Sequence, residues 1–155
     1  MTTKKILSSI YENTKTVLKS MAGIKTSLDK IEPVSRETQS ADYCILIGVT
    51  GIWSCVIIFS FDSKTGLALA SRLTGKKEEN FSEECVSALC EVANIIIGNA
   101  LISMDGTGFH GNLTLPAFTK GGNISFFMPT APMANLITLQ IEVGVLKIFI
   151  SSKNE

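Results

Sequence analysis

Two rhythms of apolar residues alternate along this chain. Ile6, Ile10, Thr14, Val17, Leu18 and Met21 recur at steps of three and four, which predicts an amphipathic first helix ending near Gly23. Residues 23–31 alternate in part and predict a strand, whereas residues 32–42 are polar, carry Pro33 and predict a connector. Residues 43–49 and 53–61 are rich in β-branched and aromatic side chains and flank Thr50-Gly51, the pattern of a hairpin. Asp62 or Ser63 can cap a helix through residues 68–73, and Gly75 can end it. After a charged turn at 76–80, Ser82, Glu83 and Glu84 suit the start of a long helix running to about Met104. Residues 111–118, 123–128, 136–143 and 145–151 predict strands separated by glycines and prolines. The order implies an α+β fold, long helices packed on a mainly antiparallel β-sheet, with residues 1–155 forming a single domain.

Residues 8–21 can also be laid on residues 91–104, matching Leu18 with Leu101, Ser20 with Ser103 and Met21 with Met104. A glycine and then a strand follow each segment, which suggests an internal pseudo-repeat of two helix-plus-strands halves.

Charge narrows the set of partners. Lys plus Arg and Asp plus Glu number 14 each, so no global basic field is available to hold a nucleic acid. The start of the chain mixes Ser, Tyr, Glu and Asn among its apolar residues and lacks the unbroken stretch of a secretory signal. The longest candidate apolar runs, at 44–49 and 56–61, are of strand length, so no membrane span is expected and the cytoplasm is the expected location. Cys44, Cys55, Cys85 and Cys90 fall in apolar settings without zinc spacing and read as buried reduced thiols, and no metal site is expected.

The long helix has two faces. At about 100° per residue, Cys85, Val86, Leu89, Ala93, Ile96, Ile97 and Ala100 share the core side. Opposite them Glu84, Ser87, Glu91, Asn94 and Gly98 form a narrow polar stripe, with Glu91 and Asn94 one turn apart. Such a stripe is usually a solvated face. Here, however, Asn is a poor helix former and Gly98 costs about 1 kcal/mol relative to Ala, and a close partner would account for both.

Residues 91–99, EVANIIIGN, resemble the E-x-x-N…G-N signature of the CheC/CheX/FliY phosphatases, in the CheX form with one such helix. Ile47-Gly48-Val49-Thr50-Gly51 resembles the I-G-V-T-G turn of the same family, and the early helix and the late Pro116 also fit. The resemblance implies a CheC-like fold, dimerisation, and insertion of an acidic residue and an amide into a phosphorylated CheY-like response regulator. It implies Glu91 and Asn94 as the catalytic pair, with Glu91, Ser87, Gly98 and Asn99 facing the partner. It also implies no cofactor of the chain's own, since Mg²⁺ would be carried by the regulator. Where CheC-type proteins carry a second such pair on the first helix, this chain has Ser8 and Tyr11. The competing reading is a non-catalytic module that docks a regulator or a chemosensory or flagellar-switch partner. Exposed edges of the late strands would favour a homodimer.

Several other signals carry less. Gly106-Thr107-Gly108-Phe109-His110-Gly111 spells a dinucleotide-binding pattern, but it follows a helix and leads into a strand, the reverse of what that motif needs. His110 has no ligand partner at metal spacing and reads as a loop residue, Trp53 reads as hairpin packing, and the sequons at Asn112 and Asn123 have no use in the cytoplasm.

Overall fold

The computed structural model describes residues 3–35, 37–39, 42–51, 54–104, 111–121, 125–127 and 134–152. Trp53, His110, Asn123 and residues 106–110 of the glycine-rich pattern lie outside these. The first helix, α1 (Thr3–Ala22), buries Ile6, Ile10, Thr14, Val17 and Leu18 as its periodicity predicts, although Met21 is 40% exposed. The Thr14 hydroxyl donates to the Ile10 carbonyl at 2.7 Å, so this polar group enters the core with its hydrogen bond satisfied. Gly23, at φ 65°, then turns the chain out of the helix.

β1 (Thr26–Val34) runs through Pro33, which the sequence reading had assigned to a connector, and β2 (Glu37–Gln39) lies within that supposed connector too. Proline is tolerated because β1 is an edge strand, where one side needs no ladder partner. β3 (Tyr43–Gly51) and β4 (Cys55–Phe61) form the expected hairpin, but Ile47-Gly48-Val49-Thr50-Gly51 is strand rather than turn. α2 (Ser63–Thr74) starts on Asp62, whose carboxylate accepts from the Thr65 N–H at 2.8 Å, and ends on Gly75 at φ 78°. α3 (Glu83–Met104) starts on Ser82, whose hydroxyl accepts from the Cys85 N–H at 3.2 Å.

The predicted strand at 111–118 is split into β5 (Gly111–Leu113) and β6 (Ala117–Lys120), and both pair with β3. β7 (Ser125–Phe127) pairs with β2, and β8 (Ala134–Ile141) forms a hairpin with β9 (Gly144–Ser152). The main sheet has the order β1-β8-β9-β4-β3-β5, and every described pairing is antiparallel. β8 and β9 are thus paired on both sides, which removes the expectation that the late strands present free edges. The connectivity also supports the pseudo-repeat. Each half contributes a hairpin, β3–β4 or β8–β9, and covers it with the other half's outer strand, β5 or β1.

One large core cluster joins α1, α2 and α3 to one face of the sheet, through residues such as Leu18, Ile47, Ile57, Leu89, Ile96, Ile137 and Ile148. A smaller cluster of Cys44, Ile58, Leu136 and Phe149 lies on the alternate positions of the same strands. α3 is long and apolar enough, by length and composition, to cross a membrane, so the expectation that apolar runs stop at strand length does not hold for it. Its apolar side is taken up by the core: Cys85, Leu89, Val92, Ala93, Ile96, Ile97, Ala100 and Met104 are all buried.

α2 crosses the aromatic group of Tyr43, Phe61, Phe81 and Phe118 at Gly66. A Cβ built there would stand 2.6 Å from Phe61 Cε2 and 2.9 Å from Phe81 Cζ. Both rings are held by Tyr43, which stacks on Phe81 with centroids 4.0 Å apart and on Phe61 at 6.4 Å. Gly66→Ala should therefore lower stability by about 1–2 kcal/mol, because overpacking outweighs the gain in helix propensity of roughly 1 kcal/mol. Urea unfolding checks this, and an unchanged or higher midpoint would mean that the rings yield.

Candidate functional site

α3 is held on several sides, which fixes the direction of its outward stripe. Leu89, Val92, Ala93 and Ile96 are buried in the shared core with Leu18 of α1 and with the sheet. Near the C-terminal end the Ser9 and Ser103 hydroxyls lie 2.7 Å apart, and both are within reach of the Ala100 carbonyl, at 3.2 and 2.9 Å. Asn13 Nδ2 donates to the Ser9 carbonyl at 2.8 Å and lies 3.3 Å from Ser103 Oγ. At the other end Lys76 Nζ meets Glu84 Oε2 at 2.8 Å. The Glu84 carboxylate, with a smaller contribution from Glu78, pushes the Lys76 ammonium above its ordinary range. This pair is exposed and contributes little to stability.

Between these two ends, the residues singled out from the sequence fall together. Ser87, Glu91 and Asn99 are exposed, while Asn94 and Gly98 are half-buried. Asn94 is therefore less open than a solvated stripe would suggest. Among the described residues, the Glu91 carboxylate has no ion pair and the Asn94 carboxamide no hydrogen bond, so both are free to engage something outside the chain. Gly98 faces β5: a Cβ built on it would meet only Leu113 Cδ1, at 3.8 Å, an ordinary contact. Internal packing thus does not require a glycine here. On α1, the positions that the pseudo-repeat aligns with the pair behave otherwise: Ser8 is exposed and Tyr11 packs against the core.

Sequence reasoning missed what stands beside the stripe. Leu113 faces Val49 and Ala117 faces Leu46, so Thr114, Leu115 and Pro116 oppose only Ile47 and Gly48, which makes a β-bulge. Thr114 satisfies both backbone groups of Gly48: its N–H donates to the Gly48 carbonyl and its Oγ1 accepts from the Gly48 N–H, each at 2.9 Å. The close approach depends on the glycine, since a Cβ there would lie 3.0 Å from Thr114 Cγ2. The signal in the sequence was Gly48 on one strand and Thr114 shortly before Pro116 on the other, but it can be read only once the register is known.

The thiols do not form a second centre. Cys44, Cys55 and Cys85 are buried and Cys90 is half-buried. Burial pushes the Cys55 thiol up to about 12 and raises Cys90. Cys85 is raised by burial first and by Glu78 second. Neutral thiols of this kind are poor nucleophiles and poor ligands. Among the described residues, no three His, Cys, Asp or Glu side chains come together as a metal site would require.

Comparison with known proteins agrees with this fold. The family model described as chemotaxis phosphatase CheX matches residues 43–132, a span that includes the whole of α3. CheY-P phosphatase CheX of Thermotoga maritima is 29% identical over 120 residues, which are 77% of this chain and 75% of that protein. The crystal structure of CheX from Desulfovibrio desulfuricans superposes with a TM-score of 0.85 at 19% identity, covering 95% of this chain and 98% of that one. A CheX–CheY–BeF3–Mg²⁺ complex from Borrelia burgdorferi superposes with a TM-score of 0.74 at 22% identity, covering 96% and 97%. With its one Glu-x-x-Asn helix inside the matched span, the chain belongs to the CheX family of chemotaxis phosphatases.

Proposed function

We propose that this chain, acting as one domain, removes the phosphoryl group from a phosphorylated CheY-like response regulator in the cytoplasm. The observation that carries this reading is the pair Glu91 and Asn94, one turn apart on the rigid α3 and unpartnered among the described residues. The T. maritima relative bears the name of a CheY-P phosphatase, and the B. burgdorferi relative has been solved with CheY.

The chemistry asks little of the phosphatase. An aspartyl phosphate is a reactive acyl phosphate; water attacks phosphorus and the aspartate carboxylate leaves, with the regulator's own Mg²⁺ and lysine neutralising the phosphoryl oxygens. What must be added is order. The Asn94 carboxamide can accept one hydrogen of the attacking water while its NH₂ donates toward a phosphoryl oxygen, which holds the water in line. A neutral amide takes up no proton near pH 7, so Asn94 orients the water and does not act as a base. Glu91 pairs with a cationic group of the regulator and sets the depth of insertion. Ser87 and Asn99 border the same contact, and Gly98 lets the partner's backbone come close. The metal belongs to the regulator, so activity lost to chelation should return when the regulator is reloaded.

Asn94→Ala should cut the decay of acyl phosphate under saturating phosphatase by about a hundredfold, roughly 3 kcal/mol of transition-state stabilisation. Thermal unfolding should shift little, because the amide has no partner among the described residues. Glu91→Ala should instead weaken capture and be partly rescued by more enzyme. If Asn94→Ala keeps the wild-type rate, α3 is not the active site, and a docking module becomes the better reading.

Gly98→Ala separates stability from recognition. Space for the methyl and a better helix former should raise stability by about 0.5–1 kcal/mol in urea unfolding. Capture of the regulator should weaken in the same protein. A variant that is both more stable and fully active would remove Gly98 from the interface.

The family also implies a homodimer. With β8 and β9 internal, the edges left for pairing are those of β1 and of β5 with β6. Light scattering over a dilution series should give twice the chain mass, and a monomer persisting at roughly tens of micromolar would dismiss the dimer without touching the phosphatase reading.

A further inference from the structure

Two large apolar side chains stand well clear of the core, Ile102 at 74% and Leu115 at 90% exposed. Their places are not arbitrary. Ile102 lies eleven residues beyond Glu91, so at 100° per residue it points within about 20° of the same direction, roughly 16 Å along the helix. Gly98, one turn before it, adds no side chain to this face, and Ile95, one turn after Glu91, is half-buried.

Leu115 reaches the site from the sheet edge. Leu113 touches the Gly98 position at 3.8 Å, and the Phe118 ring lies 5.7 Å from Phe81, just ahead of α3. β5 and β6 therefore run back along α3 toward its start, and Leu115, between Leu113 and Phe118, stands beside the turns that carry Glu91 and Asn94. Regular alternation would place Leu115 opposite Ile47 in the core; the extra residue of the bulge turns it outward.

We propose that Ile102 and Leu115 are apolar anchors flanking the Glu91–Asn94 pair, and that they select which regulator is captured. This rests on the reading given under Proposed function. The occupant is the receiver of the phosphorylated regulator, because Ile102, roughly 16 Å along the helix from Glu91, and Leu115, on the adjoining sheet edge, fit with the polar pair within one footprint of about 800 Å², roughly 30 Å across. A polar centre that must enter a charged phosphorylation pocket orients the partner but adds little net affinity. Affinity then comes from apolar contacts at the margins, and a receiver with apolar residues on both rims of its phosphorylation pocket fits best. A receiver with polar rims would leave both anchors in water.

The test is acyl-phosphate decay on a labelled CheY-like receiver, followed over receiver concentration, with Ile102→Ser, Leu115→Ser and the double variant. Each single change should raise KM about tenfold, and the double variant by more, at unchanged kcat and thermal midpoint. A role in folding would move the midpoint instead. A double variant with wild-type KM beside an inactive Asn94→Ala overturns the anchors and leaves the phosphatase reading intact. An Asn94→Ala protein that works normally overturns that reading and the anchors with it. A double variant that turns dimer into monomer at unchanged KM assigns the two residues to a second copy of the chain, which also overturns the proposal.

Discussion

The antiparallel pairing of β4 with β9 is the contact on which the other elements depend. It runs from Cys55 opposite Ser152 to Ser60 opposite Lys147, and it joins two hairpins that each lack an outer strand. The missing strands come crosswise: β1 from the first half completes the β8–β9 hairpin, and β5 and β6 from the second complete β3–β4. Neither half can finish its share of the sheet alone. The helices then have one continuous apolar face to cover, and α3 is fixed over the edge where β3, β5 and β6 meet.

That placement gives α3 its use. A helix buried along one side, tied to α1 through Ser9 and Ser103, moves little when its outer side is loaded. A rigid mount favours a water-orienting amide, because misplacement of about 1 Å can cost a hundredfold in rate. Asn94 and Gly98 are locally unfavourable choices for a helix interior, and the buried isoleucines around them make these choices tolerable.

The parts legible in the sequence were those governed by neighbours along the chain. The α1 stripe, the Asp62 and Gly75 caps of α2, the Ser82 cap and both faces of α3 all follow from spacings of a few residues. The placement of Glu91 and Asn94 together on the outer side of α3 was legible for the same reason. What escaped depends on partners far away in sequence. Pro33 can sit in a strand only because β1 is an edge, and β8 and β9 are internal only because β1 and β4 reach them from the first half. The break at Thr114, Leu115 and Pro116 reflects a register set by Gly48, and no local periodicity records it.

The crossed connectivity also bears on how the molecule is made. Thr26 pairs with Ile141, 115 positions later, and among the described residues no nearer strand takes its place. On a ribosome adding about 5–20 residues per second, β1 therefore waits roughly 6–23 s for its partner. Throughout that interval its long edge stays uncovered, and the β3–β4 hairpin lacks its β9 neighbour. Pairings of such long range are slow to close. Until β8 and β9 have emerged, the nascent chain thus exposes an unpaired strand edge of the kind that holding chaperones cover.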